Sequence, residues 1–251
     1  MNLQDTKVIV TGAASGLGRC FALNFADAGA SVLGVDVDEE GLQALEKEHD
    51  AIVTAVGNVA SEDDAKACVA KAVDAFGEVN GLVNNAGIFR DALLVRKDRK
   101  TGELVKMSLE DWQLVLDVNL TGTFLFTREV AAQMIEQGTD GGVIVNISSV
   151  SRHGNRGQSN YSATKAAVVA DTKLWAEELA RHKIRVGAVA PGFTQTPILD
   201  AMRDEMLDKL VGQVPLRRTG RPEEIYQAVK FIFECDYFTG RCVDVDGGLT
   251  L

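Results

Sequence analysis

The chain has 251 residues, 46% of them hydrophobic, and a net charge of −10. This length allows a sizeable core, and the acidity argues against binding to nucleic acid or to anionic membranes. Because no apolar run approaches the roughly 20 residues that span a bilayer and the N-terminus lacks a basic region followed by an apolar one, we expect a cytoplasmic protein with no membrane partner.

Short apolar runs alternate with longer amphipathic stretches along the chain. Strands are predicted at 7–12, 31–36, 51–56, 81–87, 142–148, 184–192 and 241–248. Helices are predicted at 16–28, 38–48, 61–76, 109–118, 120–137 and 159–181, with a break near Asn119. Such alternation indicates right-handed βαβ units. The predicted fold class is therefore α/β, a single-domain doubly wound (Rossmann) parallel sheet of seven strands with helices on both faces.

We predict one domain over 1–251, because no linker, repeat or low-complexity tract divides the chain. Two segments interrupt the alternation. Residues 90–108 are highly charged and contain a Thr101-Gly102 turn signal, which predicts an inserted hairpin with arms near 93–97 and 103–107. Residues 193–220 are rich in Met, Leu and charged residues and predict one or two short amphipathic helices.

The segment TGAASGLG (11–18) joins the first predicted strand to the first helix. Gly12, Gly16 and Gly18 permit a tight turn and a close approach of the main chain to a ligand. The N–H groups that begin the helix then favour a pyrophosphate. The spacing differs from the usual G-x-G-x-x-G, and an ordinary glycine-rich loop is the alternative, but the position after the first strand favours dinucleotide binding.

Asp36 closes the second predicted strand, 24 residues after Gly12. An acid at this place accepts hydrogen bonds from a ribose 2′-hydroxyl and repels a 2′-phosphate. Arg19 is the only nearby cation. The sequence therefore predicts that the cofactor is NAD(H), preferred over NADP(H). Capping of the next helix by Asp36 is the alternative.

The four cysteines and three histidines are scattered along the chain. No Cys-x-x-Cys pair and no zinc-ligand spacing occurs among them, so we expect reduced thiols and no metal site.

Seven motifs in order give the chain a family resemblance. They are TGAASGLG (11–18), NNAG (84–87), Asn119 in DVNLTG, Ser148 in NISS, YSATK (161–165), PG (191–192) and VDGG (245–248). Together they resemble the short-chain dehydrogenase/reductase family over nearly the whole chain. The resemblance implies an enzyme that interconverts a secondary alcohol and a ketone by hydride transfer to or from a nicotinamide.

The resemblance implies four catalytic residues: Asn119, Ser148, Tyr161 and Lys165. Tyr161 would be the general acid/base, and Lys165, one helical turn on, would lower the pKa of its phenol and hold the nicotinamide ribose. Ser148 would bind the substrate oxygen. The family spacing of 13 residues before the tyrosine selects it over Ser149. Asn119 would bind a water that links Lys165 to solvent.

The resemblance also implies the contacts to the cofactor. They are Gly12, Ser15, Gly16, Leu17, Gly18, Asp36, Asn58, Val59, Asn85, Ala86, Gly87, Tyr161, Lys165, Pro191, Gly192 and Thr194. Asn58 stands where relatives often carry Asp and would face the adenine. Pro191 and Gly192 would open a loop over the nicotinamide, and Thr194 would bind its carboxamide.

The substrate is expected to be a small ketone or alcohol. The segment 193–220 would form an apolar lid over it, through Ile198, Leu199, Met202, Met206 and Leu210, or would simply pack into the core. The hairpin 90–108 is longer than relatives usually have, and we expect it to wall the substrate cleft or to contact a neighbouring subunit.

Two alternatives to a general alcohol dehydrogenase stay open. One is a reductase of 3-oxoacyl groups on an acyl carrier protein or another thioester, although EQGTDGG (136–142) lacks the cations that this branch often carries before the fifth strand. The other is a non-catalytic NAD-binding sensor. The resemblance further implies a homotetramer or homodimer.

Overall fold

The computed structural model describes residues 1–196, Leu199 and residues 204–251. The strands are β1 Lys7–Thr11, β2 Ser31–Asp36, β3 Ile52–Val56, β4 Gly81–Asn84, β5 Val95–Lys97, β6 Leu104–Lys106, β7 Gly142–Ile147, β8 Ile184–Pro191 and β9 Cys242–Val245. The helices are α1 Gly16–Asp27, α2 Glu39–Glu46, α3 Glu62–Phe76, α4 Leu109–Leu116, α5 Gly122–Glu136, α6 Ser159–Leu179, α7 Asp204–Val211 and α8 Pro222–Glu234.

Seven strands form one sheet in the order β3-β2-β1-β4-β7-β8-β9, and every neighbouring pair is parallel. The order reverses between β1 and β4, which is the switch point of a doubly wound sheet. The predicted fold class is confirmed. All four residues of β4 and all six of β7 are buried, as expected for strands covered on both faces.

Two hydrophobic clusters pack on opposite faces of the sheet. One joins α1, α2 and α8, where the Phe25 ring meets the rings of Phe233 and Tyr226 edge-on at 4.9 and 5.3 Å between centroids. The other joins α3, α5 and α6 around Phe126 and Met134. Such aromatic and aliphatic burial fixes the helices against the sheet and therefore fixes the strand ends that carry the site.

Buried polar groups tie the middle of the sheet to the second helical layer. The Asn84 amide donates to Thr127 on α5 and to the Asn146 side chain on β7. The Asn146 amide in turn donates to Thr172 on α6. Each group in this network has a partner, which a buried amide requires, and the network sets the position of α6 relative to β4 and β7.

The predicted break near Asn119 takes the form of a π-helical turn, Asp117–Thr121, between α4 and α5. The helical path continues through it, so the two predicted helices are one long element with a local bulge. Such π turns widen the helix and often accompany functional sites.

The segment 90–108 contains an antiparallel hairpin, with Val95 opposite Lys106 and Lys97 opposite Leu104. Both of its strands are exposed along their whole length. In the predicted lid, Met206 is exposed and Leu210 half-buried on α7, whereas Ile198 and Met202 lie outside the described residues. Within the described ranges, no helix combines the length and apolar character needed to cross a membrane.

Candidate active site

A cleft of about 490 Å³ lies at the carboxyl ends of the central strands. It runs from the turn after β1 to the start of α6. The predicted residues that line it are Gly12, Ser15, Gly16, Leu17, Asp36, Asn58, Val59, Asn85, Ala86, Gly87, Ser148, Tyr161, Lys165, Pro191, Gly192 and Thr194. Gly18 and Asn119 do not line the cleft, but they contact Gly12 and Ile88, which do. The sheet thus brings distant parts of the chain to one edge, where open α/β folds bind ligands.

The turn at one end of the cleft requires glycine at three places, either for its backbone conformation or for close packing. Gly12 has a φ of +68° and Gly16 a φ of +55°, in the left-handed region that favours glycine. A Cβ on Gly12 would lie 2.9 Å from the Ala86 Cα, and one on Gly18 would collide with the Gly12 carbonyl oxygen. This turn leads into the N-terminus of α1, so the residues present fit the pyrophosphate of a dinucleotide.

Thr11, at the end of β1, holds the glycine turn to the NNAG segment. Its hydroxyl accepts hydrogen bonds of 3.0 Å from the main-chain N–H groups of Asn85 and Ala86. The Asn85 amide returns bonds to the carbonyls of Thr11 and Gly12. Asn85 therefore shapes the cleft with its side chain, and Thr11 is a shaping residue that the motif analysis did not single out.

The Asp36 carboxylate binds main-chain groups of this chain. One oxygen accepts from the Ala14 N–H at 3.0 Å, and the other accepts from Val37 and Asp38 at 2.7 and 3.1 Å. These bonds fasten the glycine turn to the end of β2. Asp38, rather than Asp36, caps α2, so the capping alternative for Asp36 is wrong.

Tyr161 is half-buried in the first turn of α6 and faces the cleft. Burial raises the pKa of its phenol, a nearby Asp91 carboxylate raises the pKa further, and a hydrogen bond from the Ser149 hydroxyl lowers it. The net direction is upward, opposite to the lowered pKa expected from Lys165. The Lys165 ammonium lies 5.5 Å from the Tyr161 ring centroid, and burial dominates.

Ser148 and Ser149 make different contacts, and these contacts do not match the role that the family spacing implies for Ser148. The Ser148 hydroxyl is buried and donates to the Lys165 carbonyl at 2.7 Å. Ser149 is half-buried, its hydroxyl accepts from the Ser151 N–H, and it lies near enough to the Tyr161 phenol to lower the pKa of that phenol. Both residues line the cleft, but it is Ser149 that affects the pKa of Tyr161. Strand alternation explains the split, because consecutive side chains point to opposite sides.

Lys165 is 4% exposed, and its ammonium donates to the Ile147 carbonyl at 2.8 Å. Burial lowers its pKa to about 8. A Cβ on Gly87 would lie 3.5 Å from this ammonium and 3.4 Å from the Asn119 side-chain oxygen. Gly87 therefore leaves open the face from which a ligand can reach Lys165.

Asn119 is fully buried in the π turn and clamps the segment after β4. Its side-chain oxygen accepts from the Ile88 N–H and its amide donates to the Ile88 carbonyl, both at 2.8 Å. The Asn119 carbonyl accepts from the Thr123 hydroxyl at 2.9 Å. Because the side chain is engaged twice with Ile88, its observed contacts position the cleft wall.

The remaining predicted contacts differ in their surroundings. Thr194 is buried and donates to the Gly192 carbonyl at 3.2 Å, which folds the loop after β8 over the cleft. Asn58 is exposed, and its side chain accepts from the Ala60 N–H. Val59 is buried against Gly122, so that a Cβ on Gly122 would lie 2.7 Å from a methyl carbon of Val59. Asn58 and Val59 therefore contribute a polar edge and an apolar wall.

Asn160 was missed by the motif analysis although it precedes Tyr161. It is fully buried, its oxygen accepts from the Tyr161 N–H at 2.8 Å, and its amide donates to the carbonyls of Arg90 and Asp111. Its position in the first turn of the predicted helix 159–181 was the available signal, since an Asn there tends to hydrogen-bond nearby main-chain groups. Asn160 joins α6 to the base of the hairpin segment.

A larger groove of about 950 Å³ opens at the opposite, amino-terminal edge of the sheet. Its charged side chains pair with one another, as in Lys7 with Glu78 at 3.1 Å and Lys183 with Asp140 at 2.5 Å. The cleft at the carboxyl edge, where the glycine turn and Tyr161 meet, is the candidate active site.

A glycine turn fitted to a dinucleotide, opening towards a tyrosine and a buried lysine, defines a nucleotide-dependent oxidoreductase of the doubly wound class. A family model described as "Enoyl-(Acyl carrier protein) reductase" matches residues 12–250. The chain belongs to the short-chain dehydrogenase/reductase family, and it is an oxidoreductase that acts on a hydroxyl or keto carbon.

Curated relatives extend over the whole chain. It is 43% identical over 258 aligned residues to a 3-oxoacyl-[acyl-carrier-protein] reductase of Thermotoga maritima, covering 100% of both chains. It is 39% identical to one of Staphylococcus aureus, covering 97% of each. A crystal structure of a 3-ketoacyl-(acyl-carrier-protein) reductase from Brucella melitensis, complexed with NADH, aligns with a TM-score of 0.88 and 32% identity over 99% of this chain and 100% of that one.

The predicted preference for NAD(H) over NADP(H) is wrong. Reductases of the kind found among the relatives typically use NADPH, and the comparisons support a pyridine nucleotide without a preference for NAD. The structure supplies the physical reason for the error. Both Asp36 oxygens already bind main-chain N–H groups, so an acid at the end of β2 has a structural use that does not depend on the ribose.

Proposed function

We propose that this oxidoreductase reduces the keto group of a 3-oxoacyl thioester, free or attached to an acyl carrier protein, to a secondary alcohol. The observation that carries the proposal is the similarity, over at least 97% of the chain and at 39 to 43% identity, to relatives named for this reaction. The geometry of the cleft supports it, since Tyr161, Ser149 and Lys165 meet beside the glycine turn.

Tyr161 is the proton donor of the proposed reaction. When bound, the reduced pyridine nucleotide supplies a hydride for the keto carbon. The phenol gives its proton to the keto oxygen, so that C=O becomes CH–OH and the tyrosine becomes a phenolate. Burial raises the pKa of the phenol, which keeps the donor protonated at neutral pH. A general acid must hold its proton before the reaction.

Ser149 is the proposed hydrogen-bond donor to the substrate oxygen. Its hydroxyl lies against the phenol, where it can stabilise the charge that develops on the keto oxygen and then on the phenolate. Ser148, the residue selected by spacing, supports α6 through the Lys165 carbonyl. We therefore assign the catalytic hydroxyl to Ser149 and a structural one to Ser148.

Lys165 has two proposed tasks. Its ammonium, beside the Tyr161 ring, stabilises the phenolate formed when the proton leaves. It also faces the opening beside Gly87, where it can bind the ribose of the nicotinamide half. Asn119 positions the Ile88 wall, and the π turn around it is the proposed place for a water that returns a proton from solvent.

The other predicted cofactor residues keep proposed roles. The glycine turn, with Ser15 and Leu17, would take the pyrophosphate, and Asn58 would take the adenine. Pro191, Gly192 and Thr194 would cover the nicotinamide, followed by the lid segment 193–220 of the single domain 1–251.

The test measures oxidation of NADH and of NADPH with an acetoacetyl thioester, against a panel of simple ketones. We expect turnover of the thioester by the wild type and loss of at least about 100-fold in kcat for Tyr161→Phe, the range for a removed acid/base. Tight nucleotide binding without turnover of any ketone would overturn the proposal and favour a sensor. Turnover of simple ketones but not of the thioester would overturn the substrate class.

We further propose a cytoplasmic homotetramer or homodimer assembled through the long helices. Exposed apolar side chains on these helices support this assembly, with Phe124 and Ile135 on α5 and Leu174 on α6. Light scattering of the purified protein should give a mass two or four times that of the chain, and a monomeric mass would overturn the proposal.

A further inference from the structure

The hairpin segment, residues 90–108, stands apart from the core. Its two strands pair only with each other among the described strands, and both faces are exposed. Leu94 and Leu104 are 68% and 67% exposed. An isolated two-stranded ribbon is marginally stable in water, and exposed apolar side chains on such a ribbon indicate a contact surface.

The charge of the hairpin segment is opposite to that of the whole chain. It carries six cationic residues and three carboxylates, a net charge of +3, in a chain with a net charge of −10. Within the described part of the chain, it forms one ion pair, Arg96 with Asp98 at 3.2 Å. The cations of Lys97, Lys100 and Lys106 are therefore available to an acidic partner.

The base of the hairpin segment is fixed beside the active site. Phe89, which precedes it, lines the cleft. The Ala92 N–H donates to the Gly157 carbonyl at 2.8 Å, and the Gln158 amide donates to the Asp91 carboxylate at 3.0 Å. Gln158 precedes Tyr161 by three residues, so a partner bound to the ribbon would sit at the mouth of the cleft.

We infer that the hairpin segment docks an acidic acyl carrier protein whose acyl arm enters the cleft. The inference rests on the proposed function. A second copy of this acidic chain would also complement the charge, but a copy seated here would stand across the mouth of the cleft. A carrier must bind at that mouth, since its thioester has to reach Tyr161. The cations absent from 136–142 are thus supplied by the hairpin.

The test compares the same acyl group as a thioester of two different thiols. Acetoacetyl groups are presented on the phosphopantetheine of an acidic acyl carrier protein and on N-acetylcysteamine. The variant Lys97→Gln/Lys100→Gln/Lys106→Gln removes three cations from the hairpin. The control Lys47→Gln/Lys71→Gln/Lys173→Gln removes three exposed cations elsewhere, so both variants have the same net charge.

We expect the hairpin variant to raise KM for the carrier substrate by about tenfold, the effect of losing three exposed charge pairs. Its kcat and its kinetics with N-acetylcysteamine thioester should match the wild type. The difference should shrink at about 0.5 M salt, where exposed charges are screened. The control should behave as the wild type with both substrates.

Four results would overturn the inference. The first two are an equal rise in KM with the small thioester and an equal rise in KM in the control variant. The third is an unchanged KM in the hairpin variant. The fourth is a smaller oligomer in the hairpin variant with unchanged carrier kinetics, which would make a second copy of the chain the occupant. If neither thioester is reduced by the wild type, the proposed function itself fails. If both are reduced but the hairpin variant is unaffected, only the docking surface fails.

Discussion

The Ser148 hydroxyl donates a hydrogen bond of 2.7 Å to the Lys165 carbonyl on α6. The adjacent Ser149 hydroxyl instead meets the Tyr161 phenol. The two serines therefore make separate contacts: Ser148 holds the helix that carries Tyr161 and Lys165, and Ser149 is the one we propose for the reacting oxygen.

Replacing each serine with alanine separates these roles. Ser149→Ala should lower kcat by about 100-fold or more, the effect of removing one donor from an oxyanion site, with little change in melting temperature. Ser148→Ala should lower the free energy of unfolding by about 1 kcal/mol, because a buried hydrogen bond is lost. Kinetics and thermal denaturation of both variants check this. Equal activity losses with no loss of stability in Ser148→Ala would contradict the assignment.

The sequence alone does not determine which of the two serines faces Tyr161. Spacing placed the serine, the tyrosine and the lysine in one cleft, and strand alternation put Ser148 and Ser149 on opposite sides. Which side faces Tyr161 depends on the loop between β7 and α6, whose 3-10 turn at 150–153 is capped by Ser149 itself. Residue spacing alone does not determine the conformation of that loop.

The sheet was predictable for a physical reason that does not apply to Asp36. Parallel strands that are covered on both faces are near-continuous apolar runs, so such runs identify the central strands β4 and β7 directly. A single carboxylate can bind a ribose or three main-chain N–H groups with the same residue type, and only coordinates separate these uses. Likewise, the periodicity marks a disturbance at Asn119, but a break and a π turn give the same pattern.

Asp91 should affect the pH dependence of catalysis. Its carboxylate raises the pKa of Tyr161, as burial does, while Ser149 opposes both. Oxidation of an alcohol requires the phenolate, so its rate rises as pH passes the pKa of Tyr161. Asp91→Asn should lower that pKa and move the rising limb of the kcat–pH profile to lower pH.

The profile is measured with 3-hydroxybutyryl thioester and the oxidised nucleotide. Asp63→Asn, on α3, removes one remote charge and serves as the control. A profile for Asp91→Asn that coincides with the control, or one displaced to higher pH, would contradict the prediction.

Gly18 should tolerate no side chain. A Cβ there would collide with the Gly12 carbonyl and approach the Asn85 amide within 2.5 Å. Gly18→Ala should therefore destabilise the turn by about 1–3 kcal/mol, the usual cost of overpacking, and weaken nucleotide binding. Gly220→Ala is the control, because a Cβ there would meet its neighbours at 3.6 Å or more. Calorimetry of both variants checks this, and equal stabilities would contradict it.

Lys165 should lower the free energy of unfolding and yet be necessary for the reaction. Its pKa is about 8 in the folded chain against 10.5 as its ordinary value, because burial disfavours the ammonium. Below pH 8 the group is charged in both folded and unfolded states, so the full penalty of burial is present. Between pH 8 and 10.5 the folded state loses the proton first, and the penalty declines.

Lys165→Met should therefore raise the free energy of unfolding by about 1–3 kcal/mol at pH 7, and the gain should shrink as pH rises from 8 to 10.5. The same variant should lower kcat by about 100-fold or more and weaken nucleotide binding, since it removes both the charge beside Tyr161 and the proposed contact to the ribose. Lys173→Met, exposed on the same helix, should change none of these. Denaturation across pH, with kinetics and nucleotide titration, separates the roles. A destabilised Lys165→Met would show that its bond to the Ile147 carbonyl outweighs burial, and a loss of rate without a loss of affinity would remove the ribose contact.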